Sequence, residues 1–221
     1  MADLPPVLAI DGPGGAGKGT VSRALAQRLG WNYLDSGAIY RALAVAVRRR
    51  GVALDDLAAV VATARAMDLS FRTADGFAVL LDGDDVSAEI QREETGAAAS
   101  HIAPHPEVRA VLLEKQRAFR RPPGLVADGR DMGTVVFADA PYKVFLTASA
   151  EVRAERRYKQ LKEQGLDVNL GQLTLELEER DRRDRERAVS PLVPAADATV
   201  VDSSGLTIDQ VIARVLDLIN G

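Results

Sequence analysis

No cysteine occurs among the 221 residues, which excludes disulfides, thiol chemistry and Cys-based metal sites. Histidine is nearly absent as well, with only His101 and His105. Their spacing could place both rings on one helix face. Pro104 and Pro106 flank the second, however, so both are expected at the start of a helix rather than around a metal. No apolar run reaches the length of a membrane span, and Met1–Pro6 carries no signal-peptide core, so a cytoplasmic chain without membrane contacts is expected. Basic residues are not in excess. The 28 Lys and Arg stand against 32 Asp and Glu, and a net charge of −4 argues against a general nucleic-acid binder. Internal repeats and low-complexity segments are missing too, although the Arg/Asp/Glu-rich run Glu176–Arg187 comes close to one.

What is present is enough for one ordinary domain. Apolar residues make up 47% and charged residues 27%, a balance that supports a full buried core at this length. The most informative stretch is Gly12-Pro13-Gly14-Gly15-Ala16-Gly17-Lys18-Gly19-Thr20. It follows the apolar run Val7–Ile10 and opens a helical pattern with Val21, Leu25 and Leu29 on one face. Strand, glycine loop and helix form the context of a phosphate-binding P-loop. Glycines let backbone N–H groups point inward around an anion, and the helix N-terminus adds its positive dipole end. Lys18 supplies a mobile charge for the terminal phosphates, and its ammonium is expected on a surface loop. Gly19 stands where the simplest pattern has Ser or Thr, with Thr20 following. That Gly-Lys-Gly-Thr variant resembles the nucleoside monophosphate kinases rather than GTPases or motor ATPases.

Five strands are expected, at Val7–Ile10, Tyr33–Asp35, Leu125–Asp128, Lys143–Thr147 and Ala198–Asp202, with helical patterns such as Glu151–Glu163, Leu170–Arg187 and Ile208–Ile219. Their alternation predicts an α/β fold: a five-stranded parallel sheet of P-loop NTPase type with helices on both faces. Right-handed crossovers place functional loops at the carboxyl ends of the strands, where Asp35, Asp128 and the P-loop all fall. One segment breaks the rhythm. Leu69–Arg72 and Phe77–Leu81 read as two strands around the Asp75-Gly76 turn, within an excursion from about 51 to 105. The expected organisation is one domain with a core of about 1–50 and 106–221, an inserted subdomain at about 51–105, and a mobile element at about 157–169.

Three further segments suggest a second substrate. In Asp35-Ser36-Gly37-Ala38-Ile39-Tyr40-Arg41, Ser36 can cap the following helix and Arg41 projects from its first turns. Ala127–Gly133 places Asp128 at a strand end, where an acid holds Mg²⁺ or its water shell beside a P-loop. Thr20 and, through water, Asp128 are the candidate metal ligands. On the third segment, Arg180, Asp184 and Arg187 fall at about 0°, 40° and −20° around a helix, a single narrow stripe. Two arginine forks beside an aspartate suit a phosphate and a sugar hydroxyl. A salt-bridged surface helix is the alternative for such a run.

These three segments, with Pro191–Ala198 behind the last, resemble the bacterial cytidylate kinases, and the similarity runs essentially from end to end. The resemblance implies Mg²⁺-dependent transfer of the γ-phosphoryl group of ATP to CMP or dCMP, a nucleotide-binding insertion and a closing lid. It also implies that Gly12–Thr20 binds ATP and that Ser36, Arg41, Arg130 and Arg187 surround the acceptor phosphate. Arg180 and Asp184 would meet the ribose, and Ser100, Arg109 and Asp131 would read the base. Arg156 and Arg157 begin the lid and reach the transferred phosphate on closure, where Arg157 would act with Lys18, Arg130 and Arg187. A monomer is expected. The competing readings are a GTP-hydrolysing switch, which would need the guanine-reading Asn-Lys-x-Asp that this chain lacks, or a kinase for another small acceptor.

Overall fold

Five parallel strands in the order β2-β6-β1-β7-β8 form the main sheet in the computed structural model, which describes residues 4–72, 77–163, 165, 167–187 and 189–220. β1 (Val7–Asp11) is buried at every residue and lies in the middle of the sheet. α1 (Lys18–Leu29), β2 (Asn32–Asp35) and α2 (Ser36–Arg49) follow. β1 and β6 (Leu125–Gly129), in the middle of the sheet, are buried throughout and read as apolar runs up to an acid because both faces are covered. Val7, Ala9, Leu34, Leu125 and Ala127 face one cluster, which α2 fills with Ile39 and Leu43. Leu8, Ile10, Val126, Val144 and Leu146 face the other, which α1 fills with Val21 and Leu25.

The excursion contains α3 (Leu57–Ala66), β3 (Leu69–Arg72), β4 (Ala78–Leu81), β5 (Asp84–Asp85), α4 (Ser87–Ile90) and α5 (Glu93–Ile102). β3 and β4 pair antiparallel, Leu69 opposite Leu81 and Arg72 opposite Ala78, as the sequence suggests. The Asp75-Gly76 turn itself lies outside the described residues. A third strand, β5, was not expected. It follows a second Asp-Gly turn, Asp82-Gly83, in which both residues have positive φ (51° and 90°). Phe71 and Phe77 from this small sheet meet the Tyr33 ring edge-on, at 5.9 and 5.4 Å between centroids.

The chain returns through α6 (Pro106–Arg117), β6 (Leu125–Gly129), a π-helical turn over Met132–Val136, β7 (Tyr142–Thr147), α7 (Ala150–Glu163), α8 (Leu170–Glu186), β8 (Thr199–Asp202) and α9 (Ile208–Asn220). α9 closes the second face with Val211, Ile212 and Val215. At the N-terminal edge of the sheet Trp31 lies so close over Gly124 that a Cβ there would sit 2.5 Å from its ring, and it packs 6.5 Å from Tyr142. Two expectations need correction. His105 does precede α6, but His101 lies in the last turn of α5, because two helices rather than one meet at Pro104. Asp35, not Ser36, caps α2: its Oδ1 accepts from the Ala38 N–H at 2.9 Å, and Ser36 is the first helical residue. Among the described residues no helix is long and apolar enough to cross a membrane.

Candidate active site

Strand register brings the strand-end acids together. Asp35 lies opposite Asp128 across β2 and β6, and Ile10 opposite Asp128 across β1 and β6, so Asp11, Asp35 and Asp128 share the carboxyl edge of the sheet. The P-loop springs from that edge. Gly12 has φ 147°, and a Cβ there would sit 2.0 Å from the Leu146 carbonyl oxygen, so no other residue fits. Gly17 caps α1 in a left-handed conformation without a side-chain partner, leaving the first N–H groups of the helix for an anion.

Lys18 departs from expectation. It is buried, and its Nζ donates to the Pro13 carbonyl at 2.9 Å, with Asp128 Oδ1 at 3.9 Å. The loop folds over its own lysine, which burial and then the charges of Arg130 and Arg180 make less basic. Burial, followed by the neighbouring Asp35 and Asp11, raises the Asp128 carboxyl in turn. A Cβ on Gly19 would stand 3.5 Å from Asp128 Oδ2, whereas Thr20 is exposed. Position 19 therefore faces the acid, and its missing side chain leaves room beside the carboxylate. Among the described residues no three carboxylate or histidine groups cluster as a metal cage. One carboxylate with space for water is a donor set that fits Mg²⁺, which keeps most of its waters.

Two of the acceptor candidates stand directly against the P-loop. A Cβ on Gly14 would lie 3.5 Å from an Arg130 Nη and 3.7 Å from an Arg180 Nη, so two acceptor-side guanidinium groups stand against the P-loop. Arg130 Nε donates to Asp184 Oδ2 at 3.1 Å. Desolvation in the cleft, then the Arg130 and Arg41 charges, lower the Arg180 guanidinium to about 10. Arg187 stands just past the end of α8 rather than on its stripe; Nε reaches the Asp184 carbonyl at 3.3 Å. Its Nη2 is buried with no hydrogen-bond partner among the described residues. Arg41 donates to the Ile90 carbonyl at 2.7 Å and lies close to Gly96 of α5. Ser36 is buried at the start of α2. Arg109 Nη2 binds Asp131 Oδ2 at 2.8 Å, while Ser100 turns its hydroxyl back to the Gly96 carbonyl, away from that pair. Arg157 is exposed and bonds Gln160.

Four residues of the site escaped the sequence reading. Asp11 accepts the N–H groups of Met132 and Gly133, each at 2.8 Å. The signal existed, since it is an acid ending an apolar strand, like Asp35 and Asp128. Tyr40 lies within electrostatic range of Arg109, Asp131 and Arg187, and burial raises its phenol. Arg153 and Asp181 form a buried pair between α7 and α8, and Arg153 also donates to the Gly14 carbonyl at 2.9 Å. Nothing in the polar pattern of α7 distinguishes Arg153 from its exposed neighbours.

Comparison with known proteins agrees with this geometry. The cytidylate kinase family model matches residues 8–221. The cytidylate kinase of Methylococcus capsulatus is 64% identical and that of Aeromonas salmonicida 58%, covering 99% and 98% of this chain and 99% and 94% of theirs. An uncharacterized protein from Eubacterium ventriosum, only 10% identical, shares the fold with a TM-score of 0.54 over 98% of this chain and 99% of its own. With a P-loop at the edge of a five-stranded parallel sheet and a match over nearly its whole length, the chain belongs to the cytidylate kinase family.

Proposed function

We propose that this chain transfers the γ-phosphoryl group of ATP, as its Mg²⁺ complex, in line to CMP or dCMP. One observation supports the residue roles: Arg180 lies within electrostatic range of Lys18, Arg41 and Arg130, so cations from four separate segments meet beside the P-loop. The attacking oxygen of a nucleoside monophosphate is already ionised at neutral pH, so no catalytic base is required. The difficulty is to bring two anionic phosphates together, which demands dense positive charge.

Gly12–Thr20 binds the donor phosphates with backbone N–H groups, and Lys18 leaves the Pro13 carbonyl to reach them. Asp128, through water, would hold the Mg²⁺ of the donor, and the ion would supply positive charge to the donor phosphates. Arg41, Arg130 and Arg187 hold the acceptor phosphate next to Ser36. Arg187 suits this role because its buried Nη2 has no acceptor among the described residues. Arg180 and Asp184 meet the ribose. Residues of about 51–105 and 157–169 close over the pair of nucleotides, Arg157 with them, and exclude water as a competing acceptor.

Base choice falls to Asp131, held by Arg109, with Ser100 rotating in from α5. Cytosine offers an amino donor at position 4 and acceptors at N3 and O2, matching a carboxylate and a guanidinium. Uracil reverses the first two. Each unpaired buried group costs about 1–3 kcal/mol, which supports a preference for CMP of roughly 100-fold. The test is coupled ADP release with each NMP and dNMP, in wild type and Asp131→Ala. Acceptor-dependent release confined to CMP and dCMP, with negligible GTPase activity, supports the reading. An unchanged CMP/UMP ratio in the variant removes Asp131 from base recognition.

A further inference from the structure

Asp131 occupies the N-cap position of the π-helical turn Met132–Val136, with φ −141° and ψ 24°. An aspartate there usually folds back on the orphan N–H groups one turn ahead, because nothing else satisfies them. Asp131 makes no such bond. Asp11, 120 residues earlier on β1, takes that place from outside the helix: Oδ1 accepts from the Met132 N–H and Oδ2 from the Gly133 N–H, each at 2.8 Å and buried.

The surroundings make this fit specific. A Cβ on Gly133 would lie 3.2 Å from Lys143 Cδ and at van der Waals contact, 3.4 Å, with Asp11 Oδ2, so the carboxylate and the Lys143 stem close around this backbone. Met132 folds under Gly129, where a Cβ would stand 2.7 Å from its Cγ. The backbone after Asp131 is pinned on two sides, and its carboxylate is left to Arg109 at 2.8 Å. Gly12, the next residue after Asp11, opens the P-loop, so one side chain anchors the acceptor-reading loop to the root of the donor loop.

We propose that Asp11 is a positioning residue for base selection: by capping the turn after Asp131 with both of its oxygens, it frees the Asp131 carboxylate to read the acceptor's base. This rests on the assignment of Asp131 to the base. Both Asp11 oxygens are already occupied by backbone N–H groups. Without it, two buried N–H groups within two residues of Asp131 compete with Arg109 and the base for the same carboxylate.

Asp11→Asn tests the proposal, since the amide keeps one acceptor but sets its NH₂ against a second N–H donor. One buried donor left unpaired costs enough for a change of about 10-fold or more. The expected result is a CMP KM raised by about that factor, an ATP KM changed little, and a CMP/UMP ratio in kcat/KM lowered about 10-fold. The double variant Asp11→Asn/Asp131→Asn should discriminate no worse than Asp131→Asn alone, as coupled residues do. If Asp11→Asn does not fold, Asp11→Ser, smaller and still able to accept one bond, carries the same measurements. Equal losses for ATP and CMP, or an unchanged CMP/UMP ratio, overturn the proposal. If Asp131→Ala itself leaves that ratio unchanged, the base assignment fails and this inference with it. If only the Asp11 variants leave it unchanged, the inference alone fails.

Discussion

Arg153 and Asp181 are joined by two parallel N–H···O contacts, and the same guanidinium reaches the Gly14 carbonyl of the P-loop at 2.9 Å and the Ala148 carbonyl at 3.0 Å. Both side chains are about as buried as the core, 4% and 3% exposed. One arginine thus binds α7, α8 and the phosphate loop at a single point, and α8 carries Arg180 and Asp184 immediately beside that point. Any movement of α8 against the P-loop must pivot about this contact or break it.

Breaking the pair should therefore damage stability before chemistry. Asp181→Ala leaves a buried guanidinium without its carboxylate, which costs about 3–5 kcal/mol. Arg153→Met with Asp181→Leu removes both charges at similar volume and should cost less than the single change. Urea denaturation of the three proteins checks the order. A single variant as stable as wild type would show that water reaches the guanidinium.

Lys18→Met should separate catalysis from folding. An electrostatic group acting on the migrating phosphoryl contributes on the order of 100-fold in kcat. The side chain is buried with Arg130 and Arg180 offsetting Asp128 and Asp11, so an apolar replacement of similar length removes a desolvated ammonium and should leave the melting temperature within about 3 °C of wild type. Asp128, already raised by burial, can bind a proton once its partner is gone. Near-normal turnover in the variant would overturn the P-loop assignment.

At Arg187 the expected effect is confined to one substrate. Arg187→Ala should raise the CMP KM by about 10-fold or more and leave ATP nearly untouched, because a charged hydrogen bond is lost from the acceptor side only. Arg187→Lys should recover little, since an ammonium cannot reproduce the planar fork. Equal shifts in both constants would make the end of α8 a structural element.

Acid should trade specificity for stability through Asp11. Burial, acting against the N–H bonds from Gly133 and Met132, raises its carboxyl from 3.8 to about 6. A carboxyl higher in the folded than in the unfolded chain binds its proton more readily when folded. Its contribution to stability is therefore full below about 4 and is lost as pH rises through about 6. The stability of wild type relative to Asp11→Asn should fall from pH 4 to pH 7, measured by urea denaturation at each pH. Over the same range the CMP/UMP ratio of wild type should rise, as both oxygens become free to accept. A stability difference that grows with pH would reverse the sign.

The sheet was legible because buried parallel strands have no polar face: Val7–Ile10 and Leu125–Asp128 announce themselves as apolar runs, and the glycine loop marks the direction of the first. The placement of Asp128 and Arg130 beside the P-loop was legible because a strand-end acid in a parallel sheet falls at the carboxyl edge. Long-range burial was not. Lys18 is enclosed by Pro13 of its own loop and by groups more than a hundred residues away, so its exposure could not be read locally. Arg153 sits in a mostly polar helix, and the approach of α8 and the P-loop, both distant in sequence, buries it. The cap of α2 was misplaced by one residue because Asp35 and Ser36 are equally good candidates until the backbone shows which one leaves the strand. β5 was missed because two residues carry no periodicity, although the Asp82-Gly83 turn before them could have been noticed.

Trp31, the only tryptophan, packs on Gly124 and near Tyr142 at the amino edge of a sheet whose strands all run the same way, so the full length of β2 separates it from the carboxyl edge where nucleotides would bind. The protein thus carries a built-in optical gauge that is blind to its ligands. Indole emission should report loss of the native sheet and ignore occupancy of the cleft, so melting curves with and without nucleotide can be read from one native signal, without a dye or an added label.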